Sequence, residues 1–401
     1  LKNNKLIFFS ENPALKSKGS GISVLLYNIL LATKEKNPQL ITFCHGHNIK
    51  EEEIKDDNSG IDVHVCDKKL TAFYKIKGIK KLIIPLSFIL NLRKIGQIIN
   101  KPDNMVICLV GASSGPLWKF LTLKFLFGKA KHGLYIVDDL QLINRKLHQK
   151  IEVALIKKLL PKAIKSTDFL ITISSGLQET YLTQYNKKSY ILLPHFTKRE
   201  PLPKYKPENS FTFLFTGGLS FLYNKPLLEL SFMLNEINLS GKCDKDLKLQ
   251  VQTYTSINEY SSLNFNPSTT FYSTVSNRDE LMGIYNNCQC FIIPYSFDKE
   301  DVQIVKTSFP QKVAEIIQYQ KPILIYGPTY SSVTQFFSQN LLNYICDVNN
   351  KQHLIDTILK IVNDSNNFTG EKYSEAYNEF LSAGMVNNLF NKISDDLIYG
   401  N

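Results

Sequence analysis

No stretch of the 401 residues reaches the roughly 20 uncharged apolar positions that a membrane-spanning helix needs, so the chain is not built around such a span. Cysteine is sparse and scattered. Cys44, Cys66, Cys108, Cys243, Cys288, Cys290 and Cys346 form no C-x-x-C pair and no Cys/His set at metal-ligand spacing. Their odd number and their places in apolar runs read as buried free thiols in a reducing compartment, not as a disulfide framework. The first residues, Leu1 to Leu6, carry no basic segment followed by a long apolar one, and the expectation is a cytoplasmic protein. The G-x-G-x-x-G spacing fails after Gly21, which excludes the dinucleotide fingerprint. Acidic side chains are missing altogether from residues 68–101.

What is present is ordinary globular composition, 43% hydrophobic and 21% charged, with 25 Phe and 20 Tyr and a net charge of +11. The length accommodates two domains, each with a full core. The charge favours nucleic acid, an anionic membrane or a phosphorylated ligand. Three segments, 68–101, Leu117 to Lys131 and Ile156 to Lys165, interleave lysine with aliphatic and aromatic residues, as membrane-surface helices do. The same segments could instead pack their apolar faces on a sheet and leave their lysines in water. No helix-turn-helix, zinc or aromatic-platform motif supports nucleic acid, and none is expected as a partner.

Strand-like runs alternate with helical ones along the whole chain, the pattern of an α/β protein with parallel sheets. Lys5 to Phe9 is a strand, followed by a loop ending Gly19-Ser20-Gly21 and a helix from Ile22 to Thr33. Leu40 to Cys44 is a strand leading to His45-Gly46-His47, a pair that could be metal or base ligands or simply exposed loop histidines. Residues 50–60 read as a charged linker. A strand at Met105 to Val110 ends in the small-residue loop 111–115, and one at His132 to Val137 ends in Asp138-Asp139. Paired carboxylates at the carboxyl end of a parallel strand stand where open α/β sheets hold ligands, though a helix cap and a solvated neighbour explain them equally well. Residues 194–210, with Pro194, Pro201, Pro203 and Pro207, read as a linker between domains. The second half restarts with a strand at Phe211 to Thr216, the turn Gly217-Gly218, a loop at 219–224 and a helix opening at Lys225-Pro226.

The most informative stretch lies between the strands Cys290 to Pro294 and Pro322 to Tyr326. A polar loop and one short helix are expected there, the helix opened by a capping box at Ser308 and Gln311 with Pro310 in its first turn. A helix start at a strand's carboxyl end suits an anion, and Lys312 adds a full charge. Glu315, one turn from Gln311, could accept from two adjacent sugar hydroxyls. Phosphate beside a diol describes a nucleoside diphosphate. The bland alternative is a capped helix with Val313, Ile316 and Ile317 on its core face.

Ser308-Phe309-Pro310-Gln311-Lys312-Val313-Ala314-Glu315, followed by Lys321-Pro322, resembles the donor-site segment of GT-B glycosyltransferases of the large retaining family 4, S-x-P-x-K-x-x-E. The resemblance implies two doubly wound Rossmann-like domains facing a central cleft. These would be residues 1–198 on the acceptor side, 199–385 binding a nucleotide-sugar, and a terminal helix 386–401 returning to the first. It further implies that Gly217, Gly218, Lys225, Ser308, Phe309, Pro310 and Lys312 face the donor diphosphate and that Glu315 holds the ribose. Asp138 or Asp139 would orient or deprotonate an acceptor hydroxyl, and Lys225 and Lys312 would stabilise the leaving diphosphate without a metal or other cofactor. The implied activity is retaining hexosyl transfer to a glycan or lipid-linked acceptor in surface polysaccharide or glycoconjugate synthesis, at or near the inner membrane face. Two family positions differ: Thr307 stands where many members carry a second Glu, and Gly218 where an Arg is usual. These differences favour the alternative of a catalytically silent GT-B partner that binds an acceptor or another glycosyltransferase.

Overall fold

The computed structural model describes residues 5–16, 21–43, 49–66, 80–111, 113–140, 147–196, 209–256, 263–273, 275 and 278–399. His45, Gly46 and His47, and the Gly19-Ser20 pair, lie outside the described residues. The chain forms two compact units, residues 1–197 with 382–401, and residues 198–381.

Unit 1 alternates β1 (Lys5–Ser10), α1 (Gly21–Ala32), β2 (Gln39–Thr42), α2 (Glu51–Asp57), β3 (Asp62–Val65), α3 (Lys80–Ile99) and β4 (Asn104–Val110). It continues with α4 (Gly115–Leu126), β5 (Lys131–Ile136), α5 (Leu147–Ser166), β6 (Phe169–Thr172), α6 (Ser175–Tyr185) and β7 (Tyr190–Ile191). The seven strands pair in parallel in the order β3-β2-β1-β4-β5-β6-β7. β4 is buried along its whole length, as a strand covered on both faces must be. The expected charged linker at 50–60 is largely α2. Three glutamates in its first turn complement the helix dipole, which is why a charge run proves helical.

Right-handed crossovers place α1 on one face of this sheet and α3, α4 and α5 on the other. The last helix of the chain, α14 once those of unit 2 are counted (Ala383–Tyr399), packs beside α1. The Phe390 ring meets that of Phe8 edge-on at 5.8 Å, Asn387 donates to the Ala32 carbonyl at 2.7 Å, and the Tyr190 hydroxyl donates to Asp396 at 2.6 Å.

Unit 2 contains β8 (Ser210–Thr216), α7 (Phe221–Ser240), β9 (Asp246–Thr253), β10 (Thr270–Ser273), α8 (Arg278–Asn287) and β11 (Cys290–Pro294). There follow α9 (Val302–Thr307), α10 (Gln311–Ile316), β12 (Ile323–Tyr326), α11 (Ser332–Gln339), β13 (Ile345–Cys346), α12 (Lys351–Asp364) and α13 (Glu371–Ala376). Its six parallel strands run β10-β9-β8-β11-β12-β13. Alternate β8 residues Phe211, Phe213 and Phe215 join Leu247, Leu249 and Val251 of β9 in a core under α7 and α12. Thr212, Leu214 and Thr216 therefore point to the opposite face.

Three expectations need correction here. The helix expected to open at Lys225 starts at Phe221, and Pro226 lies inside it. As the sixth residue of the helix, Pro226 lies past the first turn and its missing N–H removes one intrahelical bond. The region between β11 and β12 holds two helices, α9 and α10, and not one. The capping box is not formed either: Pro310 itself is the residue preceding α10, and Ser308 terminates α9, its N–H bonded to the Ile304 carbonyl at 2.9 Å.

Candidate active site at the carboxyl edge of unit 2

In the unit 2 sheet the chain runs from β8 outward to β9 and β10, then returns to place β11 on the other side of β8. The carboxyl ends of β8 and β11 thus flank a topological switch point, where open α/β sheets hold ligands. Four short segments converge there: Thr216-Gly217-Gly218 after β8, the first turns of α7, Tyr295 to Asp298 after β11, and α10.

On α10, Lys312 and Glu315 are one turn apart, and the Lys312 ammonium lies 3.1 Å from Glu315 Oε2. The glutamate side chain is 9% exposed and the lysine side chain 37%. Lys312 also donates at 3.0 Å to the hydroxyl of Tyr285 on α8, which is fully buried and 3.3 Å from the Thr216 hydroxyl. With its oxygen accepting from an ammonium, the Tyr285 O–H is left to donate to Thr216. Burial disfavours the Lys312 ammonium, but the Glu315 carboxylate and Tyr285 more than offset this and hold its pKa above the ordinary lysine value. Lys312 is therefore a fixed positive charge at any physiological pH. A carboxylate accepts at roughly four lone-pair positions, so the bond from Lys312 does not exhaust Glu315. With only six residues, α10 has little macrodipole, and the charge here comes from Lys312.

The Ser308 hydroxyl sits 2.9 Å from that of Tyr295, which is wholly buried, and the Tyr295 ring lies 5.8 Å from that of Tyr223 on α7. Lys225, two residues further along α7, reaches Asp298 at 2.6 Å; both side chains are about half exposed, and the carboxylate raises the lysine pKa. Lys225 and Lys312 are thus both tied to this strand edge. Gly217 adopts φ 147°, a conformation side-chain-bearing residues rarely take, and its N–H bonds the Gln252 carbonyl at 3.0 Å. A Cβ on Gly218 would run into the Tyr254 ring, so the side chain missing from position 218 is replaced in space by a tyrosine.

Two further expected donor-site residues, Phe309 and Pro310, lie directly before α10. Phe309 is buried with its ring edge-on to Phe336 at 5.4 Å, a packing role, and Pro310 supplies the turn into α10. Thr307, at the position of the family's second glutamate, is buried with its hydroxyl bonded to the Gln303 carbonyl at 2.8 Å. Gln252 was not legible as special from sequence. It pairs in register with Thr216, is 1% exposed, and among the described residues neither polar atom of its amide finds a partner.

In unit 1 the corresponding switch point lies between β1 and β4. Asp138 is exposed, two residues past the end of β5. Lost hydration and then the Asp139 charge push its carboxyl up to about 6. Asp139 is buried beside Tyr181 and Tyr185. Sequence reasoning missed Glu11, at the end of β1. Its carboxylate bonds the fully buried ammonium of Lys119, which lies 5.0, 5.4 and 5.9 Å from the ring centroids of Phe43, Trp118 and Phe88. Gly115 leaves room for that carboxylate, since a Cβ there would strike it.

Among the described residues no three His, Cys, Asp or Glu side chains converge as a metal-ligand set, and no helix is long and apolar enough to cross a membrane. Among the described residues the six cysteines form no disulfide, and five of them are buried. A cleft bounded by Leu341, Tyr344, Asp364, Phe368 and Tyr373 lies at the β13 side of unit 2 and shares no residue with the strand-edge site.

No protein-family model and no curated sequence matches the chain. Solved structures do match over nearly their full length. The N-terminal domain of Candida albicans trehalose-6-phosphate phosphatase aligns at TM-score 0.65 and 10% identity, covering 98% of this chain and 97% of that one. A sucrose-phosphate synthase from Thermosynechococcus elongatus aligns at TM-score 0.62 and 10% identity, covering 99% and 100%. A TarM variant from S. aureus, in complex with fondaparinux, alpha-GlcNAc-glycerol and UDP, aligns at TM-score 0.65 and 9% identity, covering 97% and 99%. At such identities the likeness defines the fold, which is GT-B, with two Rossmann-like parallel-sheet domains of seven and six strands.

Proposed function

We propose that the protein is a cytoplasmic glycosyltransferase that moves a hexosyl group, with retention of configuration, from a nucleotide-sugar to a glycan or lipid-linked acceptor in surface polysaccharide or glycoconjugate synthesis. The observation that carries this reading is the pairing of Lys312 with Glu315, one turn apart on α10, and the bond that ties Lys312 to Tyr285 and through it to Thr216 at the switch point of unit 2. A fixed ammonium suits a diphosphate and a buried-edge carboxylate suits a ribose diol. Lys225 adds a second cation at the same strand edge. Loss of a nucleoside diphosphate develops negative charge on the leaving oxygens, and Lys312 and Lys225 would stabilise it electrostatically, with no metal assigned to the step. In unit 1, Asp138, with its carboxyl near 6, is poised to take or share the proton of an acceptor hydroxyl at neutral pH. The TarM complex with UDP makes a uridine nucleotide the first donor to try.

A second reading is a silent GT-B partner protein, favoured by the buried Thr307 and by the tyrosine filling the space at Gly218. Incubation of the purified protein with a panel of nucleotide-sugars, following nucleoside diphosphate release with and without simple glycoside acceptors, separates the two. Release that disappears in Lys312→Ala supports the enzyme. Nucleotide binding without any release supports the partner.

A further inference from the structure

The Lys321-Pro322 pair follows the donor-like segment in sequence, but its lysine stands away from the strand-edge site. Gln320, with a left-handed φ of 51°, ends the 3₁₀ turn Ile317–Tyr319 and delivers the chain to the amino end of β12. There the Lys321 ammonium donates to the carbonyls of Tyr285, Asn286 and Cys288 at 2.9, 2.7 and 2.6 Å. These carbonyls lie at the C-terminal end of α8, where the last turn lacks intrahelical partners and the helix dipole is negative. Only the ammonium form has three N–H donors, and the three carbonyls use them, so none is left for a ligand.

Tyr285 is thereby held at both ends. Its carbonyl takes the Lys321 bond, while its hydroxyl takes the Lys312 bond at 3.0 Å and lies 3.3 Å from that of Thr216. Between them the ring sits edge-on to those of Tyr319 and Phe291, at 5.1 and 5.4 Å. Lys312, Tyr319 and Lys321 all belong to one stretch, α10 and the turn behind it. That stretch grips α8 twice, once through the Tyr285 hydroxyl and once through its carbonyl. Without Lys321 the three carbonyls lose their shared donor, and the Lys312 bond and ring contacts are left to fix Tyr285 against α10.

We infer that Lys321 is a positioning residue: by fixing the end of α8 it sets the Tyr285 hydroxyl, and through it the direction of the Lys312 ammonium. The inference rests on the reading of Lys312 as the cation that meets a donor diphosphate. It adds a second lysine that acts on the same step without touching the donor.

The test needs no ligand. Acetic anhydride reacts with unprotonated amines, and Lys312 is 37% exposed, so its labelling rate in the folded full chain, read by peptide mass spectrometry, reports how firmly its proton is held. Tyr285→Phe removes the bond directly and should speed labelling roughly three- to tenfold, the effect of half to one unit in pKa. Lys321→Gln should speed it by a similar factor, and Tyr285→Phe/Lys321→Gln should be no faster than Tyr285→Phe alone. Lys321→Arg keeps a cation on the α8 carbonyls and should stay near the wild-type rate. Lys321→Met is measured in parallel, so that the result does not depend on one variant folding. An unchanged Lys312 rate in the Gln and Met variants, with only the melting temperature lowered, would overturn the inference, as would additive acceleration in the double variant. Binding of UDP, GDP, ADP and CDP to the same proteins keeps the donor reading separate. Affinity that falls in step with faster labelling supports both, whereas the labelling pattern without binding upholds the role of Lys321 and removes the donor reading.

Discussion

Lys312 and Glu315 form an ion pair 3.1 Å apart across one turn of a six-residue helix, with the acid nearly out of solvent and the base more than a third in it. Such a pair presents its charge outward and keeps its geometry through the base's second bond, to Tyr285. Removing the base leaves a carboxylate with little water. Lys312→Ala should therefore destabilise unit 2 by about 1–2 kcal/mol, discounted for the lysine's exposure, and Glu315→Gln by less. Denaturant melts of both variants check the order.

Lys119 makes a sharper case, because it has no exposure at all. Glu11→Ala leaves its ammonium buried without a counter-charge and should cost roughly 3–5 kcal/mol. Lys119→Met keeps the volume and leaves Glu11 access to water, so it should cost far less, and combining the two changes should recover most of the loss. Equal losses in both single variants would contradict this account of the pair.

Two titrating groups of unit 1 pull stability in opposite directions over one pH window. Burial lowers His195 to about 4, so the unfolded chain takes up a proton near 6.5 that the fold refuses. Stability is lost as pH falls from about 6.5 toward 4, by up to roughly 3 kcal/mol. Asp138 is raised to about 6, so its contribution runs the other way and improves as pH falls through that value. His195→Gln should flatten the acid loss, and Asp138→Asn should steepen it while raising the melting temperature at pH 7.5. Melting curves between pH 4 and 8 decide.

Gln252 buries an amide whose two polar atoms lack partners among the described residues. Replacing it by methionine keeps the length and removes the desolvation cost, and should stabilise the protein by about 1 kcal/mol. A loss of stability would mean that the amide is satisfied in solution.

The alternation of buried strands and helices made the α/β class and the order of elements legible in sequence, and Lys312 with Glu315 was legible because both lie in one segment. Tyr285 was not. It comes from α8, 27 residues before Lys312, and only the parallel sheet brings the two together. Helix α9, Val-Gln-Ile-Val-Lys-Thr, carries β-branched residues that read as loop or strand, and tertiary packing overrides that preference. Pro226 misplaced a helix start by four residues because proline marks the first turns of a helix without fixing which one. Gly218 was legible as the position where an Arg is usual, but its neighbour in space, Tyr254, belongs to the loop after β9 and could not be foreseen locally.

The central claim is that a nucleoside diphosphate binds between Lys312, Glu315 and Lys225. Thermal shift of the purified protein with millimolar UDP, GDP, ADP and CDP tests it directly. The account predicts a rise of about 2–5 °C with one of them, absent in Lys312→Ala and Glu315→Ala when each is compared with its own unliganded melt. No rise with any nucleotide, or a rise that survives in both variants, would contradict it.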